Sequence, residues 1–293
     1  MICTLCPRRC GVDRAAGEVG FCAVPDTALV CRAAPHYGEE PCISGTRGSG
    51  AVFFAGCNLR CVFCQNHSIS RGEAGEALRV PALRELFRRL ADQGVHNINL
   101  VTPSHFSDVV AEALTGLDLG IPVVWNSSGY ESVETLRRLE GLVQVYMPDL
   151  KYMDAALAGR YSAAPDYPEV ALAALEEMYR QTGPFQMDED GLLRRGLLIR
   201  HLILPGAAEN TLRVIDAVED HLPADKVLFS LMSQYTPMPG LERYPELRRP
   251  VSQEEYARCA SYLDFSAIQY GYTQSPEAAT EDMIPDFDGT GLH

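Results

Sequence analysis

No apolar stretch in the 293 residues is long enough to cross a bilayer. No export signal is expected either, because Met1 opens directly onto Cys3 and Cys6 with no hydrophobic run between them. Basic residues are in deficit: 25 Lys and Arg stand against 39 Asp and Glu, for a formal charge of -14 and a pI near 4.9. That balance argues against nucleic-acid binding through bulk electrostatics. Low-complexity tracts are missing, and so is any internal repeat beyond an alternation of strands and helices. Cysteine is nearly absent from most of the chain, since only Cys259 follows residue 64. An exported disulfide scaffold would be short and carry its cysteines throughout, so metal binding in a reducing compartment is expected, with the protein cytoplasmic and off the membrane.

What is present begins with nine cysteines in the first 64 residues. Residues 1–49 have few apolar runs and little periodicity, so this stretch reads as a cysteine-rich, metal-binding extension held by ligands rather than by a core. From residue 50 the pattern changes to short apolar runs, each read as a buried parallel strand: AVFFAG (51–56), NINLV (97–101), PVVW (122–125), LVQVYM (142–147), LLIRHLIL (197–204) and KVLFSLM (226–232). Between them lie helical stripes. Leu83, Leu86, Phe87 and Leu90 run from Pro81 to Gly94. Ser107 is expected to cap a helix carrying Val109, Val110, Ala113 and Leu114. Val133, Leu136 and Leu139 end at Gly141; Val170, Leu175, Met178 and Tyr179 end at Gly183; Leu212, Ile215 and Val218 follow. Ser252 with Glu255 spells a capping box before Tyr256, Cys259 and Leu263. Six strand–helix units imply an α/β fold, a parallel barrel or open sheet spanning 50–240, with a C-terminal helix and tail (241–293) packed on it. The acidic tail from Ala279 is expected to be a surface strap or a disordered end.

Polar and glycine residues gather at the C-terminal ends of these strands, where such a barrel keeps its site: Gly56–Cys57, Thr102–Ser104, Asn126–Gly129, Asp149–Lys151, Pro205–Gly206 and Ser233–Tyr235. Directly after the first strand, GCNLRCVFCQN holds Cys57, Cys61 and Cys64 with no fourth cysteine close behind. Three thiolates on one loop suit three irons of a cubane and leave the fourth iron open; a closed zinc site would need His67 or a distant ligand as well. Phe63, just before the third cysteine, offers a ring to a planar base. Lys151 and Arg200 supply cations for an anionic ligand, and Asn126, Ser127 and Ser128 supply short donors and acceptors.

The C-x3-C-x-aromatic-C loop in this strand context resembles the radical S-adenosylmethionine superfamily, and within it the chain is most similar to the pyruvate formate-lyase activating enzymes and their uncharacterised relatives. The likeness runs from about Ala51 to Tyr235 through WNSSG (125–129), MPDLKY (147–152) and LIRHLILPG (198–206). It implies a partial (β/α)6 TIM-like barrel and a [4Fe–4S] cluster on Cys57, Cys61 and Cys64. It also implies S-adenosylmethionine chelating the open iron, reductive cleavage to a 5′-deoxyadenosyl radical that abstracts hydrogen, and reduced flavodoxin or ferredoxin as electron donor. It puts Asp149 and Lys151 near the methionine carboxylate, Arg200 near the cofactor, and Asn126, Ser127 and Ser128 near the ribose and methionine. Two departures stand out. The family's Gly-Gly-Glu after the second strand is replaced by LVTPSHF (100–106), which leaves Thr102 and Ser104 to receive the methionine amine. Asn126 stands where an Asp often helps to hold a monovalent cation, and that weakens the case for a bound cation.

Cys3, Cys6, Cys10 and Cys22 can close a second site completely. It is either a structural zinc site or an auxiliary iron–sulfur cluster. It does not match the ferredoxin-like module of some glycyl-radical activating enzymes, whose cysteines follow the radical loop. Cys31 has no assigned role, Cys42 reads equally as a ligand or as a buried small residue, and Cys259 reads as a core thiol. The expected reaction is hydrogen abstraction from a protein or peptide, as in installing a glycyl radical, with His105, Gln234 and Tyr235 as candidates to touch the target. Two other readings stay open: a radical enzyme acting on a small metabolite, and an iron–sulfur carrier without radical catalysis.

Overall fold

In the computed structural model, residues 2–72, 74–274 and 285–293 are described. Residues 279–284 of the acidic tail therefore lie outside the described residues. The elements run β1 (Ala28–His36), α1 (Pro41–Ser44), β2 (Ser49–Phe54), β3 (Glu76–Leu78), α2 (Val80–Asp92), β4 (Ile98–Val101), α3 (Ser107–Leu114), β5 (Val123–Ser127), α4 (Val133–Arg138), β6 (Val145–Pro148), α5 (Ala155–Ser162), α6 (Tyr167–Thr182), β7 (Gln186–Met187), β8 (Leu193–Leu202), α7 (Ala208–His221), β9 (Leu228–Met232), α8 (Gln253–Asp264) and β10 (Gly271–Thr273). The sheet order is β10-β9-β8-β6-β5-β4-β2-β1-β3. The strands from β2 to β10 along that path pair in parallel, while β1 pairs antiparallel with β2 and β3. The result is an open, partial TIM-like barrel.

Side chains alternate between the two faces of each strand. Trp125, Tyr146, Leu197, Ile199 and Phe229 point to the main core, under the helices. Their neighbours Val124, Val145, Leu198 and Leu228 form a smaller apolar plug with Cys42 and Ile43. Register stacks this plug in rows, Val124 beside Val145 and Leu198 beside Leu228. Two residues further along, on the same face, come Asn126, Arg200 and Ser230. Apart from Met147, which stays in the plug beside Asn126, the inner face thus turns polar at this row, and Asn126 and Arg200 line the cavity described below.

Three local expectations need correction. Residues 28–36, expected within a stretch lacking a core, form β1, whose Ala28, Val30, Cys31 and Ala33 are buried; Arg32 and Pro35 break up the apolar run that would have announced it. Ser107 does not cap α3: it is the first residue of the helix, and its buried hydroxyl has no partner. A helix over Ala155–Ser162, capped by Asp154, lies where none was expected. By contrast, Ser252 and Glu255 make the full capping box of α8, and Cys259 is wholly buried. The end of the chain lies on β1: Ala33 donates to the Thr290 carbonyl and Phe287 meets Phe53 edge-on. No helix among the described residues is long and apolar enough to cross a membrane.

Candidate active site

A cavity of ≈ 210 Å³ opens at the C-terminal ends of β2, β4, β5, β6, β8 and β9. All three loop cysteines line it, and so do Phe63, Thr102, Asn126, Ser127, Ser128, Asp149, Lys151, Arg200 and Gln234. The fold therefore brings together residues that lie up to 177 positions apart in sequence (57 to 234). Three other candidates are elsewhere. Ser104 gives its hydroxyl to the buried Glu131 at 2.5 Å. Tyr235 donates to the Leu247 carbonyl at 2.7 Å and packs edge-on against Phe63. His105 sits behind the loop, its Nε2 2.7 Å from the Ala55 carbonyl, and burial pushes its pKa down to about 4.

Charge in the cavity runs as a row, Glu39–Arg200–Asp149–Lys151. Arg200 bridges Glu39 at 2.8 Å and Asp149 at 3.0 Å, and Lys151 meets Asp149 at 2.6 Å. Each side chain is less than a fifth exposed. Two cations and two anions so placed neutralise one another, which is the condition for burying them at all. Burial alone would raise the Asp149 pKa, but Lys151 and Arg200 overcome it and hold the carboxyl below its usual range. Burial likewise disfavours the charged Lys151, and Asp149 and the Cys61 thiolate reverse that, so its pKa rises.

Glu39 is the site residue that sequence reading missed. Besides Arg200, it accepts from Asn99 at 2.9 Å and from Asn126 at 3.1 Å. The one available signal was indirect: an arginine at the end of an inner strand needs more than one acidic partner. The loop bearing Asp149 and Lys151 is also pinned from beneath. His201 contacts the Leu150 carbonyl at 2.6 Å, Asn210 donates to the Lys151 carbonyl at 3.0 Å, and the Tyr167 hydroxyl accepts from the Lys151 amide at 2.9 Å. Gly129 has φ +73°, and a Cβ there would stand 2.5 Å from the Asp149 carbonyl oxygen. This close approach of two strand ends requires glycine.

The cysteine loop is shaped from outside. The Leu59 amide donates to Cys57 at 3.3 Å, and the Ser162 hydroxyl to Cys61 at 3.0 Å. Arg8 donates to the carbonyls of Asn58, Ser162 and Ala163 at 2.8, 2.8 and 2.5 Å. Burial raises Cys57, and burial and the neighbouring thiolates raise Cys64 to about 12. Three thiols so placed ionise together only when bound cationic metal offsets their repulsion and burial. Among the described residues no group of three or more His, Cys, Asp or Glu is gathered as a metal ion requires. Thiolates that each take a different iron of a cubane need no common point. Three thiols of one loop lining one cavity fit a cluster that takes one iron from each and leaves a position open. Two buried atoms without partners, Ser128 Oγ and Gln234 Oε1, belong to residues lining the cavity and suit a polar ligand beside that cluster.

Comparison with known proteins agrees with this donor set. Residues 51–184 match the model of the radical SAM superfamily, a span that holds the three loop cysteines, Asn126, Asp149 and Lys151. An uncharacterized protein of Methanocaldococcus jannaschii is 30% identical over 264 residues, covering 86% of this chain and 71% of the relative. Among solved structures, SuiB of Streptococcus suis bound to precursor peptide SuiA superposes with TM-score 0.52 at 13% identity, over 75% of this chain and 46% of that one. The chain thus spans about half the length of that protein, and the likeness is one of fold. A domain of pyruvate-formate lyase-activating enzyme from Bacteroides vulgatus matches with TM-score 0.37 at 13% identity, over 67% of this chain and 91% of that one.

Proposed function

The chain belongs to the radical SAM superfamily, whose members use a [4Fe–4S] cluster and S-adenosylmethionine, and from that premise we propose that it abstracts hydrogen from a protein or peptide. It is the convergence of three thiols of one loop and the row Glu39–Arg200–Asp149–Lys151 on one cavity that carries this reading. Cys57, Cys61 and Cys64 would hold the cluster. Lys151 and Arg200 would face the carboxylate of the cosubstrate, with Asp149 setting their positions. Asn126, Ser127 and Ser128 would meet its hydroxyls, Thr102 and Glu39 its amine, and Phe63 its base. When bound, cluster and cosubstrate supply the electron and the carbon radical that removes hydrogen. The protein's part is to bind, orient and exclude water. The Phe63 ring, edge-on to Tyr152, Tyr161 and Tyr235, walls one side with apolar surface.

A polypeptide target is favoured by the open sheet, in which β9 continues only into the three-residue β10, and SuiB offers a precedent of the same fold with a bound peptide. Removing an α-hydrogen needs no acid–base pair, and Gln234, which lines the cavity, would touch such a target. A flavodoxin- or ferredoxin-type donor would supply the electron, in the cytoplasm.

The test is anaerobic reconstitution followed by assay of 5′-deoxyadenosine, with deuterated cell extract split into macromolecular and dialysable fractions. Deuterium in 5′-deoxyadenosine from the macromolecular fraction alone is the expected result. Transfer from the dialysable fraction would place the substrate among small metabolites. Absence of 5′-deoxyadenosine would leave an iron–sulfur carrier.

A further inference from the structure

On the reading of this cavity as a radical site that acts on a polypeptide, we propose that the wall formed by Phe53, Val101, Leu202, Met232 and Pro285 is the subsite for the target, and that it takes an uncharged, apolar side chain. All five residues line the cavity. Register sets four of them in neighbouring pairs, Phe53 beside Val101 on β2 and β4, and Leu202 beside Met232 on β8 and β9. Leu202 and Met232, the last residues of their strands, are left partly exposed, so apolar surface stands open in the cavity. The cluster and the carboxylate, amine, hydroxyls and base of the cosubstrate would engage other residues, which leaves this wall to the target.

Charge decides what the wall can bind. Among the described residues, the acidic and basic side chains lining the cavity are the four of the row Glu39–Arg200–Asp149–Lys151, and they pair with one another. His36 also lines the cavity, its ring edge-on to Phe53 at 5.9 Å. Burial above all, and then Arg32, lower its pKa, so the ring stands there uncharged at neutral pH. The N-terminal cysteines Cys3, Cys6, Cys10 and Cys22 line a separate void, and the loop thiols alone share the cavity with the wall. A charged metabolite would lose hydration at this wall without gaining a counter-charge. An apolar side chain gains from the same surroundings.

The C-terminal segment builds part of the wall. Pro285 reaches the cavity because the residues after it are anchored on β1. The Ala33 amide donates to the Thr290 carbonyl at 2.9 Å, and the Gly289 amide to the Cys31 carbonyl at 3.0 Å. Phe287 lies edge-on against Phe53, ring centres 5.3 Å apart. Gly291 has φ +79°, and a Cβ there would stand 1.8 Å from the Ala33 carbonyl oxygen, so the anchor requires glycine.

The test uses capped single residues as the smallest pieces of a polypeptide. N-acetyl-phenylalanine amide and N-acetyl-aspartate amide are titrated, by saturation-transfer NMR, against the reconstituted protein with and without saturating S-adenosylmethionine. The phenylalanine probe is expected to bind with a dissociation constant on the order of millimolar, as its size allows, and the aspartate probe at least about tenfold more weakly. Saturating S-adenosylmethionine should leave that binding in place. Met232→Asp should weaken the phenylalanine probe by about tenfold or more. Phe265→Ala, which removes an exposed ring just past α8, should not change it. Should Met232→Asp not fold, Phe287→Ala decides: it removes the ring behind Phe53 and is expected to weaken the probe by about two- to tenfold. No binding, equal binding of the two probes, or wall variants that bind like the wild type overturn the proposal. Displacement of the probe by S-adenosylmethionine overturns it too, because the wall would then belong to the cosubstrate. Failure of the radical reading looks different: the phenylalanine probe binds and S-adenosylmethionine does not.

Discussion

The Ser162 hydroxyl donates to the Cys61 sulfur at 3.0 Å, and the Tyr152 hydroxyl lies 2.8 Å from Ser162 Oγ. A helix end 101 residues further on thus reaches back to one ligand of the loop. Hydrogen bonds to cluster sulfurs favour the reduced, more negative state. A bond worth about 1 kcal/mol corresponds to several tens of millivolts for one electron. Ser162→Ala is expected to lower the cluster's midpoint potential by that amount with iron content unchanged. An EPR-monitored redox titration reads it, and an unchanged potential would show that the hydroxyl does not bear on the cluster.

The charge row is expected to behave as one unit. Glu39→Gln alone strips Arg200 of one of its two carboxylates, and Arg200→Met alone leaves Glu39 and Asp149 facing each other's field. Breaking a buried pair from one side costs about 3–5 kcal/mol. The double variant, which removes both charges of the pair, should cost less than the sum by about 1–3 kcal/mol. Urea unfolding of the four proteins measures that coupling, and strict additivity would mean the pair does not interact.

Gly56 precedes the first loop cysteine with φ +78°, and a Cβ there would stand 2.4 Å from Val24 Cγ1 and 2.7 Å from the Cys22 carbonyl oxygen. The residue is where the N-terminal segment lies directly on the radical loop. Gly56→Ala forces both a left-handed conformation and a clash, so a loss of more than about 1 kcal/mol is expected. Thermal unfolding should show it, together with reduced iron retention after desalting. Gly94, with nothing near its Cβ position, is the control for the conformational part alone.

Much of this arrangement was legible because it rests on short-range pattern. Apolar runs gave away the strands of the parallel sheet from β2 to β9, since most of their residues are buried on both faces and need no partner to be recognised; the exposed β10 offered no such run. Cys57, Cys61 and Cys64 declared themselves by spacing, and Ser252 with Glu255 by the capping box. What stayed hidden is long-range. Glu39 gains its meaning from Arg200, 161 residues away, and nothing around it in sequence hints at that. Ser104 and His105 follow a strand that ends at the cavity, yet the left-handed turn at Thr102, φ +60°, comes just before the chain carries them to Glu131 and to the back of the cysteine loop. One backbone angle that composition does not disclose thus separates a residue in the cavity from one behind it.

Glu255 links the cap of α8 to the turn after β8, accepting from the Ser252 and Gly206 amides and pairing with Arg249 at 2.7 Å. Arg249 above all, against the opposing effect of burial, and the two amides hold its pKa at about 2 in place of 4.5. A lowered carboxyl pKa contributes stability that is present above the unfolded value and lost as pH falls through the folded one. Wild type should therefore lose this contribution between pH 4.5 and about 2. Glu255→Gln should be less stable by about 1 kcal/mol at neutral pH, with a flatter acid limb across that window. Denaturant midpoints measured against pH decide it, and parallel curves for the two proteins would contradict the assignment.

Lys151 faces a choice of partners that the row makes explicit. Its ammonium pairs with Asp149 at 2.6 Å, and the charges of Cys61 and Cys64 also act on it. A cation that served only Asp149 could be replaced by any group that satisfies the carboxylate. One that also meets an anionic ligand could not. Lys151→Met is therefore expected to weaken S-adenosylmethionine binding to the reconstituted protein by about ten- to a hundredfold, the worth of one charge-assisted hydrogen bond of about 1.5–3 kcal/mol. Iron and sulfide content should stay at the wild-type value. Equilibrium dialysis with labelled S-adenosylmethionine measures the affinity, and the double variant Asp149→Asn with Lys151→Met supplies the control. If removing Asp149 as well restores binding, the loss came from an unpaired carboxylate in the cavity. If binding stays weak, the ammonium itself holds the ligand.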